Sequence, residues 1–94
     1  MSKFSKVNLL AEYLKDKRAA VGLSQKNIAD KLGYSSAQFV SNWERGVSQP
    51  PIPSLKKIAD VYKTSADELF EIYLEQTIQD MSLDLRKRFV SSKK

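Results

Sequence analysis

Apolar side chains recur every three or four residues along most of the chain, and Gly, Ser and Pro interrupt them where helices start or stop. Leu9, Leu10, Tyr13, Leu14 and Ala20 or Val21 share one face. They predict a first helix over residues 7–21, stopped by Gly22. Ser24 is placed to cap a second helix, Gln25–Leu32, with Ile28, Ala29 and Leu32 on its apolar side. Gly33 then supplies the positive φ that a sharp turn needs. Ser35 or Ser36 is expected to cap a third helix reaching Glu44 or Arg45 before Gly46. The following VSQPPIP holds all three prolines and cannot be helical through its middle. Pro53 or Ser54 opens a fourth helix striped by Leu55, Ile58, Ala59 and Tyr62. Ser65 caps a fifth, with Asp67 and Glu68 at its positive end.

Past Phe70 the helical spacing continues through Tyr73, Leu74, Ile78, Met81, Leu85, Phe89 and Val90. No alternating β-branched run and no Asn-Gly or Asp-Gly turn appears, so the fold class is all-α with five or six helices. Two units are expected. Residues 1–70 form the main domain and residues 71–94 a C-terminal helical extension that its core does not require. The chain has neither Cys nor His, which removes thiolate metal sites and the commonest general base. No catalytic residue, metal or cofactor is assigned. No apolar run approaches the roughly 18 residues of a membrane span, and the N-terminus returns to charge too soon for a signal peptide. A cytoplasmic protein is expected.

Charge changes the picture because it is uneven. The net charge is +5; residues 1–57 carry ten Lys/Arg against four Asp/Glu, whereas residues 58–94 carry six against seven. The basic half holds the second and third helices, as a surface facing a phosphate backbone would require. Taken alone, a basic half is more often just a solvated surface.

GLSQKNIADKLG, a serine-capped helix ending in WERG, a proline-containing loop, PSLKKIADVY and SADELF follow one another in order. Together, over residues 9–70, they resemble the lambda-repressor-like (Cro/repressor-type, XRE-like) helix-turn-helix family. The resemblance implies a five-helix domain that lays helix 3 in the major groove of double-stranded DNA. It also implies that Gln25, in the first turn of helix 2, holds a phosphate oxygen. Residue chemistry supports the same face. Gln38 and Asn42 stand four apart with Ser41 beside them. An amide can bond bidentately to adenine N6 and N7, discriminating by about 1–3 kcal/mol. Ala37 suits a thymine methyl. Ordinary solvent-facing polar residues are the plain alternative, but such a helix is usually laced with Glu and Lys, and this face is not. Arg45, Ser48 and Gln49 are placed for the phosphate backbone, with Lys26 and Ser36 as further candidates; Lys26 and Lys31 could equally point to solvent. By resemblance, Arg18 and Glu44 form an ion pair tying helix 1 to helix 3. Trp43 and Val40 are assigned to the core.

One departure from the family pattern bears on these assignments. The turn before helix 3 holds one residue more than is typical, so two registers are available. Anchoring on Val40 and Trp43 leaves Phe39 semi-exposed, near the DNA or under helix 2. Anchoring at the front buries Phe39 and puts the Asn42 amide in the core, where it would need a partner. The first register is favoured.

In the extension, residues 67–84 contain six acids and no base, and the remainder is basic. Either this segment folds back on the domain or it pairs two chains, and pairing is favoured because dimers read two half-sites. The expected function is sequence-specific transcriptional regulation, as a repressor of bacterial or phage type acting as a homodimer. The alternative is an antitoxin that binds DNA and covers a toxin with its C-terminal segment.

Overall fold

A computed structural model describes residues 8–92, which form five α-helices and one 3-10 turn, with no strand among the described residues. Helix α1 is Leu9–Val21. Its first turn is capped by Asn8, whose side-chain oxygen accepts the Ala11 N–H at 2.9 Å. Val7, the expected start, lies outside the described residues. Gly22 closes α1 in the left-handed region at φ 71°. Helix α2, Gln25–Leu32, opens on a reciprocal box: Ser24 Oγ accepts the Asn27 N–H, and Asn27 Oδ1 accepts the Ser24 N–H.

Helix α3 is Gln38–Glu44 and starts later than a cap at Ser35 or Ser36 implies. Ala37 occupies the cap position, with no side-chain hydrogen bond of its own. Ser36 Oγ instead accepts the Gln38 N–H at 3.2 Å, so one of the orphan donors is still met, one residue early. The long turn is absorbed there. Val40 and Trp43 are buried, while Phe39 is 53% exposed and lays its ring 5.0 Å from that of Tyr34. This is the register anchored on Val40 and Trp43.

A 3-10 turn, Ile52–Ser54, precedes α4, Leu55–Val61, so Ser54 takes the cap position and the helix begins two residues after Pro53. Pro53 fixes φ in this turn at no loss of a helical donor. Helix α5, Ala66–Ser91, is capped by Ser65, which accepts the Glu68 N–H at 3.1 Å.

Leu10 and Leu14 from α1, Ile28 and Ala29 from α2, Val40 and Trp43 from α3, and Leu55, Ile58, Ala59 and Tyr62 pack around Leu69 of α5. Ala20, one of two residues considered for the α1 stripe, is exposed; Val21 is half-buried. Helix α1 packs on α3 and α5, and α4 packs on α2 and α5. Helix α5 continues unbroken through residues 70 and 71. Its next turns belong to the core, contrary to the expectation that the core stops before Tyr73. Ile72 and Tyr73 pack against the cluster, and Gln76 is buried. Gln76 Oε1 accepts the Leu9 N–H at 2.6 Å, and its amide donates to Asp80 at 2.9 Å. A helix-start N–H of α1 is thus satisfied by a residue 67 positions away. Beyond Thr77 the helix is mostly exposed. No helix among the described residues is long and apolar enough to cross a membrane.

Candidate nucleic-acid interface

Four of the residues expected at the DNA form one hydrogen-bonded cluster along α3. The Gln38 amide donates to Asn42 Oδ1 at 2.9 Å, and the Arg45 guanidinium donates to the same oxygen at 2.8 Å. Arg45 Nε also donates to Ser41 Oγ at 3.3 Å. The chemistry follows from helical spacing, since residues three and four apart are neighbours on one face. Asn42 Oδ1 has both lone pairs engaged, so its amide presents only donors outward. Gln38 retains its own oxygen and one amide N–H, the pair of groups a bidentate contact uses.

Ala37 stands half-buried at the head of this row and Ser36 is exposed beside it. The loop after α3 is held to the helix end: the backbone N–H groups of Val47 and Ser48 both donate to the Asn42 carbonyl, at 2.9 and 3.4 Å. Ser48 is exposed there. Gln49, expected at a phosphate, donates its amide to Thr77 Oγ1 of α5 at 3.3 Å. Lys26 is exposed and paired along its own helix with Asp30 at 2.6 Å.

Under this face lies Glu44, only 2% exposed. Arg18 reaches it from α1 with two bonds, Nε to Oε2 at 2.8 Å and Nη2 to Oε1 at 2.9 Å. The third arm of Arg18 donates to the Leu23 carbonyl at 3.0 Å. Gln25 donates its amide to Glu44 Oε1 at 3.1 Å, and the Tyr62 hydroxyl donates to Oε2 at 3.3 Å. One carboxylate therefore joins α1, the start of α2 and the end of α4 to α3. Hydrogen bonding to Glu44 raises the Arg18 pKa above its ordinary value, against the opposing effect of burial. Burial pushes the Tyr62 phenol well above its ordinary range, and the adjacent negative charge adds to it. Among the described residues no buried side-chain polar atom lacks a partner.

The Arg18–Glu44 pair came from resemblance, but Gln25 and Tyr62 as further partners of that carboxylate did not. Neither had a signal, because both contacts are made by folding residues 18 or 19 positions distant onto Glu44. Asn8 and Gln76 were missed too, although an Asn just before an apolar helix is a readable cap.

Two short helices meeting at a glycine turn, the second offering an exposed polar row, define a helix-turn-helix protein. The chain belongs to the helix-turn-helix family, whose Cro/repressor-type members its sequence resembles; residues 14–69 match the family model. It is also 32% identical over 78 residues to the cryptic phage CTXphi transcriptional repressor RstR of Vibrio cholerae, an alignment spanning 83% of this chain and 69% of that relative. No solved structure matches the chain.

Proposed function

We propose that this protein is a sequence-specific DNA-binding transcriptional regulator, a repressor of phage or bacterial type, that places α3 in the major groove as a homodimer. The hydrogen-bonded row of Gln38, Ser41, Asn42 and Arg45 carries this reading. Gln38 and Arg45 are exposed and Ser41 and Asn42 half-buried between them; the row carries no acid and is mounted on a helix that a largely buried ion pair fixes to its neighbours. Similarity to a phage transcriptional repressor supports the regulatory role.

Within the row, Gln38 acts as the adenine reader, and Asn42 braces it while offering donors of its own. Ser41 and Ala37 complete the base-facing set. Arg45, Ser36 and Ser48 face the phosphates with Lys26, which must share its charge with Asp30. Gln25 holds Glu44 with one amide N–H and has the second left for a phosphate oxygen. Gln49 joins the phosphate set if it exchanges its bond to Thr77. The C-terminal half of α5 supplies the dimer contact, and the reading domain, expected over residues 1–70, extends along α5 as far as Gln76.

Selection of bound fragments from random DNA tests the reading, because a homodimer returns two symmetric half-sites. With a selected site in hand, Gln38→Ala should weaken cognate binding about 5- to 150-fold, matching the loss of one bidentate base contact. Binding to unrelated DNA should hardly change. Equal losses on both DNAs would remove Gln38 from base reading, and no DNA binding at moderate salt would overturn the function.

A further inference from the structure

Helix α5 is apolar on two opposite sides. One side carries Leu69, Ile72, Tyr73 and Gln76 and packs on the domain. Across the helix from it, Leu74, Ile78, Met81 and Leu85 form a second stripe, exposed by 39%, 58%, 57% and 58%. A row of large apolar residues with most of its surface in water marks an interaction face. Its two ends are charged. Glu71 stands three residues before Leu74 and Arg88 three after Leu85, both exposed and both in line with the stripe.

The resulting series, Glu71, Leu74, Ile78, Met81, Leu85, Arg88, has spacings of three, four, three, four and three. This is the repeat by which one helix seats another, and it reads the same in both directions except that its ends carry opposite charges. We infer that this stripe binds a second copy of the chain with the two α5 helices antiparallel, about a two-fold axis between Gln79 and Asp80. The inference rests on the homodimer reading above and gives it a surface and an orientation.

An antiparallel pair centred there sets Leu74 against the partner's Leu85 and Ile78 against the partner's Met81. It sets Glu71 against the partner's Arg88 at both ends of a seam roughly 26 Å long. In register, every charged end meets its opposite. A parallel pair sets Glu71 on Glu71 and Arg88 on Arg88, and lays the six acids of residues 67–84 against six more. In the single chain Arg88 bonds Asp84 at 3.0 Å along its own helix. A guanidinium has five donors, so that bond and the contact to Glu71 are compatible. The two-fold also places the two domains at opposite ends of the helix pair, leaving both α3 helices outside the seam.

The chain contains no cysteine, so introduced thiols report the orientation without background. Full-length Leu74→Cys and Leu85→Cys variants should each give no disulfide-linked dimer under mild oxidation, whereas their equimolar mixture should. A dimer linked in either single variant would overturn the antiparallel arrangement and leave the homodimer intact. Absence of linkage in all three samples, with dimers still seen by sedimentation, would place the interface elsewhere. A monomer at tens of micromolar would overturn both the orientation and the homodimer. A charge exchange gives a second readout with no packing change. Glu71→Arg and Arg88→Glu should each weaken dimerisation roughly tenfold or more, and the double variant should restore it. In a parallel dimer like charges already face each other at both ends, so neither single variant would weaken dimerisation, and that result would overturn the antiparallel arrangement.

Discussion

Removing the Glu44 carboxylate should destabilise the protein far more than removing an ordinary surface charge. In Glu44→Ala the Arg18 guanidinium loses two bonds of 2.8 and 2.9 Å, and the Gln25 amide and Tyr62 hydroxyl lose their acceptor. Deleting one partner of a buried pair costs about 3–5 kcal/mol, since the other charge stays desolvated. Arg18 retains the Leu23 carbonyl, and its side chain is 21% exposed, so water can reach it and the lower end applies. A loss of about 3 kcal/mol in a domain of this size lowers Tm by roughly 12–24 °C. Thermal and urea unfolding measure it, with Lys26→Ala as the control. That variant breaks the exposed Lys26–Asp30 pair and should cost no more than about 0.5 kcal/mol. Replacing both Arg18 and Glu44 by Met should recover much of the loss, because no buried charge is then left alone. If Glu44→Ala cost no more than the Lys26 control, the carboxylate would not hold the helices together. If the double replacement were no better than Glu44→Ala, the desolvation argument would fail.

Tyr62 carries a pH prediction. Its folded-state pKa lies above the ordinary 10.0, so the folded form resists losing the proton that the unfolded chain gives up. That stability is complete below about pH 10 and lost as pH rises further; urea midpoints should fall there, less steeply in Tyr62→Phe, and an unchanged slope would contradict the burial of the phenol. Gln76→Leu strips the Leu9 N–H and Asp80 of their partner, and should cost about 1–3 kcal/mol while speeding amide exchange at the start of α1. No change in exchange at Leu9 would mean that Gln76 is not what ties α5 to α1.

What the sequence made legible was local. Gly22, Ser24, Gly33 and Ser65 end or start helices through contacts within a few residues, and each sits where its pattern put it. The start of α3 was less legible because two adjacent serines offered the same cap. A hydroxyl one residue before the cap satisfies a donor as well as one at the cap. The register of α3 could be argued because burial costs differ: a core amide needs a partner, whereas a half-exposed Phe39 needs only Tyr34 beside it. Gln49 and Gln76 were opaque. Both are amides whose partners lie 28 and 67 residues away, and no local pattern distinguishes a solvated glutamine from one that ties two helices together.

The same limit explains why the row on α3 was visible while its foundation was only partly so, through the Arg18–Glu44 pair that resemblance supplied. Spacing alone brings Gln38, Asn42 and Arg45 together, because the helix does the positioning. What aims the helix is the carboxylate beneath it, whose four donor groups come from three other parts of the chain. Gln25 belongs to both layers. Its amide has two hydrogens, one spent on Glu44 and one remaining at the helix start. A phosphate bound there would be registered against the same carboxylate that fixes α3. Gln25→Glu separates the layers, because it puts a second carboxylate on Glu44 and removes both side-chain donors toward the phosphate. It should therefore lower stability and weaken binding to all DNA sequences together. Gln25→Ala, which leaves no repelling charge, should weaken binding with a smaller loss of stability. Measured by unfolding and by titration on cognate and unrelated DNA, equal stability losses in the two variants would show that Gln25 contributes to Glu44 only by filling space.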